Sequence, residues 1–287
     1  MEHLSLRRRI YDQGLRGLLY LCGAITCALL IFLIVYVFYR GLGGITWELL
    51  STQTSYINDT TGILPNILNT LYIILLSMVI VLPLGVGSAI YLTEYAANRK
   101  LVAVIEYATE TLTGIPSIIF GLVGMLFFGQ IFGLQYSLLA GGLTLVVMIL
   151  PTIVRTTQES LKTVPQSYRE GALGLGAGKW RMVRTVVLPN AIDGIVTGCI
   201  LAIGRIVGES AVLLYTVGMS MSMQNFFRNG LESFFSASGS TLSVALYVYA
   251  KVRADFDLAF SVAVVLIVIT LVINLAANLV GKKLKKK

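Results

Sequence analysis

The sequence predicts an all-α membrane protein, a single domain of six transmembrane helices with both termini in the cytoplasm. Composition is the first observation behind this. Of 287 residues, 56% are hydrophobic and 13% charged, about half the charge of an ordinary soluble chain, and the mean hydropathy is +0.82. The second is the presence of six apolar runs close to the ~20 residues that cross ~30 Å of hydrocarbon. They cover roughly 15–39, 67–92, 115–132, 137–154, 192–217 and 258–280. The third is where the basic residues fall. Threading six spans puts Arg7, Arg8, Arg9, Arg16, Arg99, Lys100, Arg155, Lys162, Arg169, Lys179, Arg181, Arg184 and the lysines of the 282–287 tail on one side. Only Arg40, Arg228, Lys251 and Arg253 fall on the other, and Arg205 lies within a span. The positive-inside rule makes the basic side cytoplasmic. The net charge of +8 then describes a basic membrane rim and needs no nucleic acid.

The first apolar run is too long for the core of a cleavable signal peptide, and no small-residue cleavage site follows it. An exterior loop over 41–66, with Trp47, Tyr56, Asn58 and Asp59, is long enough for a small cap. Pro83, Pro116 and Pro151 fall in or at the spans, where neighbouring helices can satisfy the backbone groups that proline frees. The interior turn TEYAANRK (93–100) is short, and 101–113 is amphipathic, with Glu106 and Glu110 one helical turn apart. This segment is expected at the interface before Gly114 and Pro116 launch the third span. A second exterior region, 218–257, reads QNFFRNGLESFF, SASGS and TLSVALYVYAK. Its apolar stretches are too short to cross, which predicts one or two interfacial or re-entrant helices. Cys22, Cys27 and Cys199 sit inside apolar runs without CxxC spacing, so they read as packing residues and no metal or cofactor is expected in this chain. His3, the one histidine, is in the tail.

Charges within the spans are the candidate path residues. Arg205 and Glu209 lie four apart near the middle of the fifth run. Each costs about 2.5–3.5 kcal/mol on insertion scales, so each should face the bundle interior with a partner. They share a helix face and are positioned to pair. A structural ion pair is one reading. The other is that Arg205 presents its guanidinium fork to a tetrahedral oxyanion, oriented and tempered by Glu209. Arg155, at the cytoplasmic mouth of span four, is a second anion-attracting candidate or ordinary positive-inside charge. Thr113 and Ser117 flank Gly114 and Pro116 and are candidates to line the path with hydroxyls, or simply to pack.

Between spans four and five, a polar, basic, glycine-punctuated segment (about 159–190) contains REGALGLGAGKWRMVRTVVLP. Its GLGAGKW stretch is not a phosphate-binding loop. Leu173 stands where the first glycine is required, and Trp180 where Ser or Thr would hold magnesium. Read as helix–turn–helix, Glu170, Ala172 and Leu173 form a first helix and Gly174, Gly176 and Gly178 permit a close turn. Trp180, Val183, Arg184 and Val187 then share one face of a second helix that Pro189 ends. Such a face suits the groove of a soluble partner; a solvated loop is the alternative.

Glu170-Gly171-Ala172, three residues, Gly176, nine residues, Val186, one residue and Leu188-Pro189 resemble the EAA loop of ABC importer permeases, with Gly171 where alanine is usual. The resemblance widens through IYLTEYA (90–96), GIPSIIFGL (114–122), PTIVRTTQESL (151–161), GIVTGCILAIGRIVGESAVLLYT (194–216) and LSVALYVYA (242–250) to the phosphate-importing branch of that family. Val212 departs from the pattern, standing where proline is usual. The resemblance implies a type I ABC importer permease fold and a non-catalytic membrane subunit that forms a path for inorganic phosphate. It implies ATPase coupling through Glu170, Gly171, Ala172, Gly176, Trp180, Leu188 and Pro189. Its implied partners are a homologous second permease, two ATP-binding subunits that carry the ATP and magnesium, and an extracytoplasmic phosphate-binding protein, at the cytoplasmic (inner) membrane. A permease for sulfate or molybdate, and an ATPase-independent anion carrier or channel, are the alternatives.

Overall fold

The computed structural model describes residues 6–55, 60–220 and 238–285. Among them, five helices are long and apolar enough to cross a membrane, and a sixth crossing results if one sharply bent pair counts as a span. α1 (Leu6–Gly41) leads into a short α2 (Trp47–Ser51), which starts where the Thr46 hydroxyl accepts from the Leu49 N–H. The antiparallel hairpin of β1 (Gln53–Ser55) and β2 (Thr60–Ile63) completes the small cap expected of the 41–66 loop. Tyr56, Asn58 and Asp59 of that loop lie outside the described residues.

α3 (Leu64–Ile90) passes Pro83 without a break and ends in a π-turn, Tyr91–Tyr95. α4 (Arg99–Thr113) is capped by the Asn98 side chain, which accepts from the N–H groups of Lys100 and Leu101. It meets α5 (Ser117–Gly124), prolonged by the π-turn Met125–Ile131, at a bend of 98°. Pro116 explains the break, because its ring forces the preceding residue out of helical conformation. The run from Ser117 to Ile131 reaches only about 22 Å at 1.5 Å per residue, so the expected third span is shorter than the hydrocarbon layer. α6 (Leu138–Lys162) is longer than its apolar run, contains Pro151, and begins where the Ser137 hydroxyl accepts from the Ala140 N–H.

α7 (Gln166–Gly174) and α8 (Lys179–Met182) follow. A π-turn, Val183–Val187, then joins α8 to α9 (Leu188–Gly208), so that one helical run extends from Lys179 to Gly208. Pro189 therefore does not end a helix, as the sequence had suggested. It occupies the first turn of α9, after a wider π-turn, where the missing N–H is tolerated. α10 (Ala211–Thr216) follows a break at Glu209 and Ser210. α11 (Leu242–Tyr247, with the π-turn Val248–Val252) is a short, largely buried helix within the 218–257 region, and α12 (Phe256–Lys285) follows it. The QNFFRNGLESFF stretch lies outside the described residues.

α6 is the central helix: it packs against α3, α9, α4, α5 and α10, while α12 packs against α9, α1 and α11. Small residues bring these helices close, as membrane packing favours. A Cβ at Gly85 would strike Ile153, one at Gly142 would strike Leu76, and one at Gly124 would strike Thr144. The core between α3, α6, α9 and α10 is mainly aliphatic, built on Ile73, Val81, Leu145, Ile149, Ile206 and Leu213. Each end of the bundle has its own cluster. One gathers Ala89, Val154, Leu161, Met182, Val183 and Val187 beneath the α7–α8 segment; the other gathers Leu49, Ile63, Leu242, Tyr249 and Val262 beneath the hairpin cap.

Candidate functional site

Arg205 lies one turn before the end of α9 and is half-buried. No ion pair or hydrogen bond engages its side chain among the described residues. Gly204 beside it and Gly208 one turn later border open space, since a Cβ at either would meet nothing within 4 Å. The expected pairing with Glu209 does not form. α9 ends at Gly208 and Glu209 is extended (φ −80°, ψ 112°), so the two residues no longer share a helix face. The Glu209 carboxylate instead accepts from the N–H groups of Ala211 and Val212 at 3.1 and 3.3 Å. A carboxylate there satisfies orphan donors and complements the positive end of α10. The backbone carbonyl of Glu209 accepts from the Ser243 hydroxyl at 2.9 Å, tying the break to the start of α11.

Arg155 is on α6 but is already engaged by carboxylates. Its Nε donates to Glu159 at 3.1 Å, and its Nη1 lies 3.6 Å from Glu110. Glu106, Glu110, Glu159 and Lys162 line a cavity of about 220 Å³ around it, which leaves no excess positive charge to attract an anion. The Thr113 hydroxyl donates to the carbonyls of Thr109 and Glu110 at 2.8 and 2.9 Å, so it is taken up by its own helix. Ser117 is half-buried at the start of α5. Thr113 and Ser117 therefore flank the bend, and neither is brought next to Arg155 or Arg205 by any hydrogen bond.

The α7–α8 segment is the helix–turn–helix read from the sequence. Of its four glycines only Gly176 takes a positive φ, +83°. The N–H of Gly176 donates to Leu173 O at 2.9 Å and that of Ala177 to Ala172 O at 3.1 Å. This is the Schellman arrangement, with the left-handed position that favours glycine just beyond the helix end. The second helix differs from expectation in what it shows. Val183 and Val187 turn inward at 0% exposure, together with Met182 at 2%. Trp180 and Arg184 point outward, and Leu173, Leu175 and Tyr168 join Trp180 as exposed apolar side chains. Glu170 and Gly171 are exposed on α7 and Ala172 is half-buried; Leu188 is half-buried and Pro189 exposed on α9.

One pair escaped the sequence reading. Arg169, next to Glu170, reaches across to Glu94 at the end of α3 with an Nη2–Oε1 distance of 2.8 Å. The two residues are 75 apart in the chain, so no local periodicity links them. The available signal was only that both charges fall on the same side of the membrane, Glu94 just after the second apolar run and Arg169 after the fourth. No group of three His, Cys, Asp or Glu converges as a metal set among the described residues.

The sequence profile of the family described as "Binding-protein-dependent transport system inner membrane component" matches residues 81–287. The match spans α6, the α7–α8 segment and α9 together. The chain belongs to this family. It is a permease: a membrane-embedded, non-catalytic subunit of a multi-pass transport system that works with a binding protein. It is 38% identical over 221 residues to the "Probable ABC transporter permease protein YqgI" of Bacillus subtilis, covering 77% of this chain and 75% of that one. It is 31% identical over 258 residues to the "Phosphate transport system permease protein PstA 1" of Mycobacterium tuberculosis, covering 87% and 80%. The fold of the permease is similar to that of a bacterial alginate ABC transporter crystallised with an alginate pentasaccharide-bound periplasmic protein. The TM-score there is 0.69 at 16% identity, covering 99% of each chain, and the likeness concerns the fold alone. The expected type I importer permease architecture is therefore the observed one.

Proposed function

We propose that this permease forms the path for inorganic phosphate in an ATP-driven importer of the cytoplasmic (inner) membrane. It pairs with a homologous, PstC-like permease, docks on two ATP-binding subunits that carry the ATP and magnesium, and accepts phosphate from an extracytoplasmic binding protein. The observation that supports this best is the α7–α8 segment. It is polar and basic, turns on Gly176, and leaves Leu173, Leu175 and Trp180 exposed at one end of the bundle. A carrier working without an ATPase has no use for such a surface. Glu170, Gly171, Ala172 and Trp180 then belong to the docking face, and Leu188 and Pro189 to the helix that carries its motion into the membrane.

Phosphate as cargo draws on the similarity to PstA proteins and on Arg205, a guanidinium within a span that no carboxylate neutralises among the described residues. A guanidinium fork matches two oxygens of a tetrahedral anion. Glu209 acts on it only through the local backbone, by fixing the break that ends α9. The basic side, including the α7–α8 segment, faces the cytoplasm, and the 41–66 and 218–257 regions face the binding protein. The test is anion uptake by proteoliposomes carrying the complete complex: radiolabelled phosphate should accumulate, with sulfate and molybdate failing to compete. Accumulation of sulfate or molybdate in its place would reassign the cargo.

A further inference from the structure

We propose that Arg169 and Glu94 form the joint that makes the protruding α7–α8 segment move as one body with the ends of α3 and α6. The Arg169 guanidinium donates from Nη2 and Nε to the Glu94 carboxylate at 2.8 and 3.1 Å. It also donates from Nη1 to Val164 O at 2.6 Å and from Nη2 to Leu161 O at 2.8 Å. These carbonyls belong to the last turn of α6 and the connection beyond it, where the helix itself supplies few donors. One planar group thus fastens three elements: α7, which carries it, the π-turn after α3, and the end of α6.

Burial separates this pair from its neighbours. Its side chains are 12% and 6% exposed, whereas Lys162–Glu106 and Arg155–Glu159 are more than a third exposed on both partners. Exposed pairs contribute little and reorganise freely. A buried pair resists separation, because pulling it apart leaves an uncompensated charge. Beside it, Lys179 lies over the Tyr95 ring at 5.1 Å, so α8 is held to the same π-turn. A push on the exposed face of α7 reaches α3 and α6 through this pair, and one on α8 reaches the same π-turn through Lys179. Arg169 is therefore a positioning residue, and the joint rests on the docking role proposed for the segment.

Lysine at 169 keeps the charge but cannot place a fork on Glu94 while reaching two carbonyls. Glu94→Gln keeps the shape and removes the charge. In the complete complex, Arg169→Lys and Glu94→Gln should retain ATP hydrolysis while phosphate uptake falls about tenfold, within the usual range of coupling losses. A parallel loss of both activities, or no loss, would overturn the joint. A second readout needs no cargo. With Cys22, Cys27 and Cys199 replaced, spin labels at the exposed positions Tyr91 and Ser167 report the distance between the end of α3 and α7. The wild-type distribution should be narrow and identical with and without ATP, and broaden in Arg169→Lys. A wild-type distance that shifts with nucleotide, or an Arg169→Lys distribution as narrow as wild type, contradicts the joint. Failure of wild-type phosphate uptake with the label result intact would reject the cargo alone.

Discussion

Arg205 and Glu209 stand four residues apart yet do not share a helix: Arg205 is in the last turn of α9, whereas Glu209 lies in the break after it and turns its carboxylate to the N–H groups of Ala211 and Val212. The break separates two roles that a continuous helix would have merged. Glu209 shapes the backbone, and Arg205 is left half-buried without a carboxylate partner among the described residues.

Replacing Arg205 by Gln should therefore abolish phosphate uptake with little change in stability. No carboxylate among the described residues is orphaned by its loss, which is the usual source of a large penalty when one half of a buried pair is removed. Uptake and the melting temperature of the purified complex report the two effects separately. Unchanged uptake would remove Arg205 from the path.

At Glu209 the expectation is structural. Alanine removes the acceptor for two N–H groups and should cost about 1 kcal/mol, as loss of a helix N-cap does, whereas Gln keeps an acceptor and should cost less. Val212→Pro removes one of the two donors in the first turn of α10, where proline is tolerated, so it should be close to neutral. Thermal melts of the three variants give the order Ala, then Gln, then Pro near wild type.

Gly176 at φ +83° predicts that Gly176→Ala strains the turn by about 1–2 kcal/mol, the cost of a left-handed conformation for a residue with a Cβ. Space is not the obstacle, since a Cβ there meets nothing within 4 Å. The strain should appear as faster amide exchange across Gln166–Met182 with the membrane helices unaffected.

Leu175 is 92% exposed, so Leu175→Glu removes no packing within this chain and should leave its stability unchanged within ~0.5 kcal/mol. In the docking reading it introduces a charge into an apolar contact, and co-purification of the ATP-binding subunits should fall. Full recovery of those subunits would move the docking site away from the turn.

The membrane class and most span positions were legible because an apolar run of membrane length is a local property of the sequence. The α7–α8 turn was legible for the same reason, as its glycines and the exposed Trp180 lie within one short segment. What the local pattern could not carry were the backbone irregularities and the long-range pair. A π-turn lets helix continue from Val183 past Pro189, and the break at Glu209 arises from a carboxylate preferring backbone donors to the guanidinium one turn behind. Val183 and Val187 shared a face with Trp180 by periodicity. Only the packing of Met182, Val183 and Val187 onto Ala89, Val154 and Leu161 shows which edge of that face is inward. Arg155 stayed open between an anion-attracting residue and ordinary positive-inside charge because Glu110 lies far from it in sequence, on another helix, while only Glu159 is local.

The most direct test of the account is radiolabelled phosphate accumulation in proteoliposomes containing the complete complex and its loaded binding protein, with and without ATP on the side of the ATP-binding subunits. The account predicts accumulation only with ATP, and none in either condition for Arg205→Gln. Accumulation that proceeds without ATP would contradict it and would make this chain an anion carrier working alone.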